Sequence, residues 1–226
     1  MLSIGGFKAV LFDLGGTLVK TVDAPEIYKR ILEVYGVKVS VEDIAKAHEE
    51  NVKEFDIEEM VKLMQDFWVK WNLRFLERIG IQDNRDFLAR TLDKLWWEYA
   101  ELEVYSDVLE TLAQLKRRGI KIGIVTNGFE NDYRQILRKL NWTDYFDVVV
   151  GIDACKKAKP DREIFLFAIN KIHVRPEETI FIGDSVKSDY EGSKKAGLRP
   201  LLINREGKTL ADVKTITSLT EVLLCV

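Results

Sequence analysis

A short apolar run, Val10-Leu11-Phe12, ends on Asp13 and leads into Leu14-Gly15-Gly16-Thr17-Leu18, the pattern of a buried strand that stops at a glycine turn. From about Asp23 to Glu103 the period changes. Val52, Phe55, Met60, Leu63, Phe67, Leu73 and Leu76, then Phe87, Leu88, Leu92, Leu95 and Trp96, form long amphipathic patterns with no strand-like run between them. From Tyr105 onward, helices and strands alternate over short connections. Val108-Leu109, Leu112 and Leu115 predict a helix closed by Gly119, and strands are predicted over 120–125, 147–150, 179–182 and 200–203. Helices are predicted over 133–140, over 161–172 just after Pro160, and over 190–196 just before Gly197.

Such alternation implies right-handed crossovers and a parallel sheet covered on both faces. The expected fold class is therefore α/β: a Rossmann-like, doubly wound parallel sheet core over residues 1–18 and 104–226, with an inserted α-helical domain over residues 19–103. Residues 19–24 and 103–107 are the expected hinges. Four of the five tryptophans (Trp68, Trp71, Trp96 and Trp97) fall in the insertion, where aromatics at helical spacing are expected to pack helix against helix.

Composition narrows the function classes. With 46% hydrophobic and 31% charged residues the chain is neither disordered nor membrane-spanning, so no membrane partner is expected. A net charge of −3 argues against nucleic acid as a bulk electrostatic partner. Cys155 and Cys225 lack metal-ligand spacing and make no disulfide framework. The N-terminus lacks a basic start and a small-residue cleavage site, so a cytoplasmic protein with reduced cysteines, monomeric or homodimeric, is the expectation. The basic run Lys116-Arg117-Arg118 reads as charge complementing a helix C-terminus.

Four short segments carry the chemistry. Asp13 ends the first strand, Thr126-Asn127-Gly128 ends a later one, Lys159-Pro160-Asp161 precedes a helix, and Gly183-Asp184-Ser185-Val186-Lys187-Ser188-Asp189 follows another strand. Each alone is a common turn or cap. In this order, with three of them at the ends of predicted strands, they resemble the four motifs of the haloacid dehalogenase superfamily of phosphohydrolases. The insertion after the first motif is similar to the mobile helical cap of one class of that family.

The resemblance implies roles for individual residues. Asp13 is the nucleophile that takes the phosphoryl group. Asp13 and Asp184, with the main-chain carbonyl of Gly15, hold a Mg²⁺ ion, since a hard cation with few carboxylate ligands neutralises a dianionic phosphate. Lys159 pairs with Asp13 and the phosphoryl oxygens. The Thr126 hydroxyl and the Asn127 N–H hold the remaining oxygens, and Gly128 allows close backbone approach. Asp189 and Ser185 support these groups from behind, Asp189 by orienting a metal-bound water or Lys159. The expected substrate is a small phosphorylated metabolite.

One position departs from the pattern. Two residues after the nucleophile the family's phosphatases carry a second aspartate as general acid and base, and here stands Gly15. A phosphohydrolase with a good leaving group or a replacement acid, a phosphonate (C–P bond) hydrolase using a lysine of the insertion (Lys46, Lys53, Lys62 or Lys70), and an impaired metal- and phosphate-binding protein all remain open. Dehalogenation is disfavoured, because those relatives carry tyrosine at the position of Gly15 and lack the acidic residue that Asp184 provides.

Overall fold

The apolar run before Asp13 forms strand β1 (Ala9–Phe12), all four residues of which are buried. It lies inside a sheet, which is why its sequence does not alternate apolar with polar. A computed structural model describes residues 6–205 and 213–226. The chain divides into two compact units, one of Met1–Lys20 with Glu103–Val226 and the other of Thr21–Leu102.

The first unit holds β1, β2 (Val19–Lys20), β3 (Glu103–Val104), β4 (Lys121–Val125), β5 (Val148–Val150), β6 (Thr179–Gly183), β7 (Arg199–Ile203) and β8 (Thr215–Ile216). Six of them form one sheet in the order β5-β4-β1-β6-β7-β8, with every pairing parallel. The chain runs outward from β1 through β4 to β5 and then crosses back to β6. The strand order therefore reverses between β1 and β6, and open α/β sheets bind ligands at the carboxyl ends beside such a reversal.

Helices α6 (Val108–Arg117), α7 (Glu130–Lys139), α8 (Ile152–Cys155), α9 (Arg162–Lys171) and α10 (Gly192–Lys195) connect these strands, α6 and α9 both packing against β4. On one sheet face, Ile164, Phe165, Ala168 and Ile169 of α9 bury against Ala9, Leu11, Val125 and Phe181. Phe165 meets Phe181 edge-on, with centroids 4.9 Å apart. The intervening buried residues Val10, Phe12, Ile122, Ile124, Ile180 and Ile182 turn to the opposite face by strand alternation. Lys116 and Arg117 do fall in the last turn of α6, and Arg118 donates to the carbonyls of Leu223 and Val226.

Several boundaries differ from the sequence reading. Helix α7 begins at Glu130 rather than 133, because the Glu130 N–H is received by the Asp153 carboxylate (2.7 Å), a partner remote in sequence. The helical run expected from Tyr190 begins at Val186 as a single π turn over Val186–Glu191. There the N–H groups of Asp189 and Tyr190 both donate to the Ser185 carbonyl, and the Ser185 hydroxyl caps the turn by accepting from Ser188 N–H. The expected hinges contain regular structure: Val19 pairs with Val104 and Lys20 with Glu103 in an antiparallel ladder.

The second unit is helical: α1 (Ala24–Val34), α2 (Val41–Lys53), α3 (Ile57–Leu63), α4 (Phe67–Arg78) and α5 (Arg85–Tyr99). Its core joins Ile27, Tyr28, Ile31 and Leu32 of α1 with Ile44, Phe75, Leu76, Leu88 and Leu92. Trp71 donates from Nε1 to the Tyr28 hydroxyl (3.1 Å), which donates to Asn72 Oδ1 (3.0 Å), and Trp96 packs edge-on against Tyr28. These two tryptophans thus serve helix packing. No helix among the described residues is long and apolar enough to cross a membrane.

Candidate active site

The sheet carries three of the four motif segments to the ends of its central strands. Asp13 directly follows β1, and its N–H donates to the Ile182 carbonyl (2.8 Å), so pairing with β6 extends to the carboxylate itself. Thr126 follows β4 in the same way, its N–H donating to the Val150 carbonyl (2.9 Å). Asp184 follows β6. Lys159 comes from the loop between α8 and α9.

Lys159 lies at the centre of the arrangement. Its Nζ is 2.6 Å from Asp13 Oδ1 and 2.7 Å from Asp189 Oδ1, and only 3% of its side chain is exposed. An ammonium has three N–H groups, so one is left after these two bonds. Asp189 uses its other oxygen as well, accepting from Ser185 N–H at 2.9 Å. Both Asp189 oxygens are therefore engaged by the protein. Ser185, read as a supporting donor, supplies its N–H to Asp189 while its hydroxyl accepts at the π turn.

Burial sets the electrostatics. Removal from water pushes the Asp13 carboxyl up to about 6, assisted by the charge on Asp189 and opposed by Lys159. Burial works against the charge on Lys159, yet the two carboxylates outweigh it and hold the ammonium above its usual range. Asp184 is also raised, by desolvation and by the Asp189 charge.

Ligand atoms of Asp13, Asp184 and Asp189 lie within 4.8 Å of one another, a cluster that could hold a metal ion. Three carboxylates against one ammonium leave the pocket short of positive charge, and all the donors are oxygens, which fits a hard divalent cation. Each Asp189 oxygen already accepts one hydrogen bond from the protein, whereas Asp184 is the most exposed carboxylate of the three.

The glycines of the first motif have different functions. Gly16 adopts φ +74°, and a Cβ there would lie 2.2 Å from Asp184 Oδ2, so the bare backbone is what lets Asp184 stand beside the turn. Gly183 is held likewise, since its Cβ would strike the Asp189 carboxyl carbon at 2.3 Å. Gly15 is exposed, has no positive φ, and a Cβ there would meet nothing within 4 Å.

The loop after β4 is ordered by its own side chains. Thr126 Oγ1 accepts from Gly128 N–H (3.1 Å), leaving the hydroxyl proton to donate elsewhere. The Asn127 N–H has no partner among the described residues, whereas the Asn127 side chain bonds the main chain of Lys159, a contact that no spacing in the sequence announces. Lys46, Lys53, Lys62 and Lys70 of the helical unit are all exposed, Lys53 pairing with Glu49 and Lys70 with Glu59.

Among known proteins, the chain is 30% identical over 200 residues to a glyceraldehyde 3-phosphate phosphatase of Methanopyrus kandleri, covering 88% of this chain and 84% of that protein. It is also 30% identical over 205 residues to an (S)-2-haloacid dehalogenase of a Pseudomonas species, covering 89% and 86%. A crystal structure of a HAD phosphatase from Thermococcus onnurineus superposes with a TM-score of 0.66 at 29% identity, over 96% of this chain and 97% of that one. Residues 7–197, which include all four motif segments, match haloacid dehalogenase-like hydrolases, and the chain belongs to that family of hydrolases.

Proposed function

We propose that the protein is a Mg²⁺-dependent phosphohydrolase acting on a small phosphorylated metabolite through an aspartyl-phosphate on Asp13. The observation that carries this reading is the buried Lys159 ammonium held between Asp13 and Asp189, with Asp184 alongside. The phosphatase named among the relatives supports the substrate class. A dehalogenase stands among them too, but three convergent carboxylates would repel a carboxylate substrate and suit a cation.

In this scheme Asp13 attacks phosphorus, the bond to the leaving oxygen breaks, and water then cleaves the aspartyl-phosphate to release inorganic phosphate and restore the carboxylate. The third N–H of Lys159, the Thr126 hydroxyl and the Asn127 N–H bind the phosphoryl oxygens and stabilise the charge that spreads over them. Asp13, Asp184 and the Gly15 carbonyl would hold the Mg²⁺, which supplies charge neutralisation at the phosphoryl group. The helical unit selects the substrate; exchanging its exposed side chains should alter relative rates among phosphate esters while leaving Mg²⁺ affinity unchanged.

Gly15 cannot protonate a leaving alkoxide or activate water. The favoured substrates are therefore those with leaving groups of low pKa, such as acyl or aryl phosphates. A screen of phosphorylated metabolites and p-nitrophenyl phosphate, with and without Mg²⁺, tests the reading by phosphate release. Metal-dependent turnover is the expected result, and binding of phosphate without turnover would select the impaired binder instead. Calorimetry should show Mg²⁺ binding that Asp184→Asn largely removes. Affinity should weaken as pH falls through about 6, where a proton competes for Asp13.

A further inference from the structure

The loop that carries Lys159 belongs to no strand, so no ladder fixes its main chain. A turn bond from Asp161 N–H to the Ala158 carbonyl (2.8 Å) closes the loop on itself, and one side chain ties it to the end of β4. Asn127 Oδ1 accepts from Lys159 N–H at 2.7 Å, and Asn127 Nδ2 donates to the Lys159 carbonyl at 3.0 Å. A carboxamide presents a donor and an acceptor side by side, as a peptide group does, and here both engage the same residue. We propose that the Asn127 side chain is a positioning residue for Lys159, locking that residue's main chain to the end of β4 so that the ammonium reaches Asp13.

The need for such a lock follows from where the lysine must stand. Its long side chain, with four rotatable bonds, has to deliver one ammonium between two carboxylates while only 3% of that side chain is exposed. If the main chain at Lys159 shifts, the ammonium shifts with it, and a misplacement of about 1 Å can cost about 10²-fold in rate. Asn127 also divides its work. Its N–H faces the phosphoryl group in the proposed scheme, while its side chain reaches across to Lys159, so the loop binding the phosphate and the loop bearing the cation move as one piece. The inference rests on the phosphohydrolase reading for its catalytic consequence, but the positioning itself can be read without turnover.

The experiment has two arms. In the first, protein labelled with ¹⁵N-lysine is observed by NMR without substrate, and the Lys159 ammonium signal is assigned by its loss in Lys159→Met. Asn127→Ala should shift or broaden that signal while other lysine signals stay in place. Asn127→Asp keeps the size of the side chain and the bond from Lys159 N–H but puts an acceptor against the Lys159 carbonyl. It should disturb the same signal, and it serves if the alanine variant does not fold. In the second arm, p-nitrophenyl phosphate hydrolysis is measured with Mg²⁺ in Asn127→Ala, Lys159→Met and the double variant. The Asn127 change alone should lower kcat by about tenfold or more with little effect on KM, and should cost nothing further once Lys159 is gone. An unmoved ammonium signal, or losses that multiply in the double variant, overturns the proposal. A moved signal in a protein that hydrolyses no phosphate ester upholds the positioning and discards the phosphohydrolase reading.

Discussion

Asp13→Asn should lower phosphate release by about 10⁴-fold or more, since an amide cannot take the phosphoryl group and removal of a covalent nucleophile leaves only binding and electrostatic help. The same change should leave the metal-free protein at least as stable as the parent. Asp13 titrates at about 6 in the folded protein against an ordinary 3.8, because burial and Asp189 disfavour its charge. For an acid raised in this way the folded state prefers the protonated form. Stability from this group is therefore greatest at low pH and is lost as pH rises through about 6. At pH 7.5 the ionised Asp13 is a burden on the fold, and asparagine lifts it while still accepting from Lys159. Thermal unfolding without Mg²⁺, beside a phosphate-release assay, measures both effects. Turnover within about tenfold of the parent would place the nucleophile elsewhere, and a marked fall in the unfolding temperature would mean that the Asp13–Lys159 bond outweighs desolvation.

Gly15→Asp should raise turnover of alkyl phosphates by about 10²-fold or more, within the range that general acid–base catalysis supplies. In the proposed scheme an alkoxide of high pKa would leave unprotonated, and the aspartyl-phosphate would wait for unassisted water. The parent should accordingly show a steep dependence of rate on leaving-group pKa, which the substitution flattens. The backbone accepts the change: φ at Gly15 is not positive, and a Cβ there meets nothing within 4 Å. Its neighbour behaves oppositely, for a Cβ at Gly16 would collide with Asp184. Gly15→Asn adds similar bulk without the acid and is the control. Equal rates in the two variants, both folded and binding Mg²⁺, would mean that another residue already performs the proton transfer.

The strands and most helices of the sheet-bearing unit were legible because each is an apolar run or stripe bounded by glycine, proline or a capping residue. The parallel order followed from their alternation. Asp13, Thr126 and Asp184 were legible for the same reason, each ending a buried strand. What the sequence did not announce depends on partners distant along the chain. Asp153 starts α7 three residues early, Ser185 and Asp189 wind a π turn, and Asn127 grips Lys159 across 32 positions. Local propensity is silent on such contacts, since a Thr-Asn-Gly segment reads as a turn whether or not its amide has a distant mate. Short elements such as α8 and β8 escaped because they are too brief to display a period.

The pairing of Val19 with Val104 and Lys20 with Glu103 brings the chain back to the point it left. Departure and return are thus neighbours across one antiparallel rung, roughly 5 Å apart. From the side of the sheet, everything between them amounts to a single closed loop whose length is of little account, because each doubling of a flexible loop costs only about 0.6 kcal/mol in closure. The β2–β3 rung therefore works as a socket. A different helical cassette, longer or shorter than Thr21–Leu102, should be accepted there with the register that holds Asp13 against β6 unchanged.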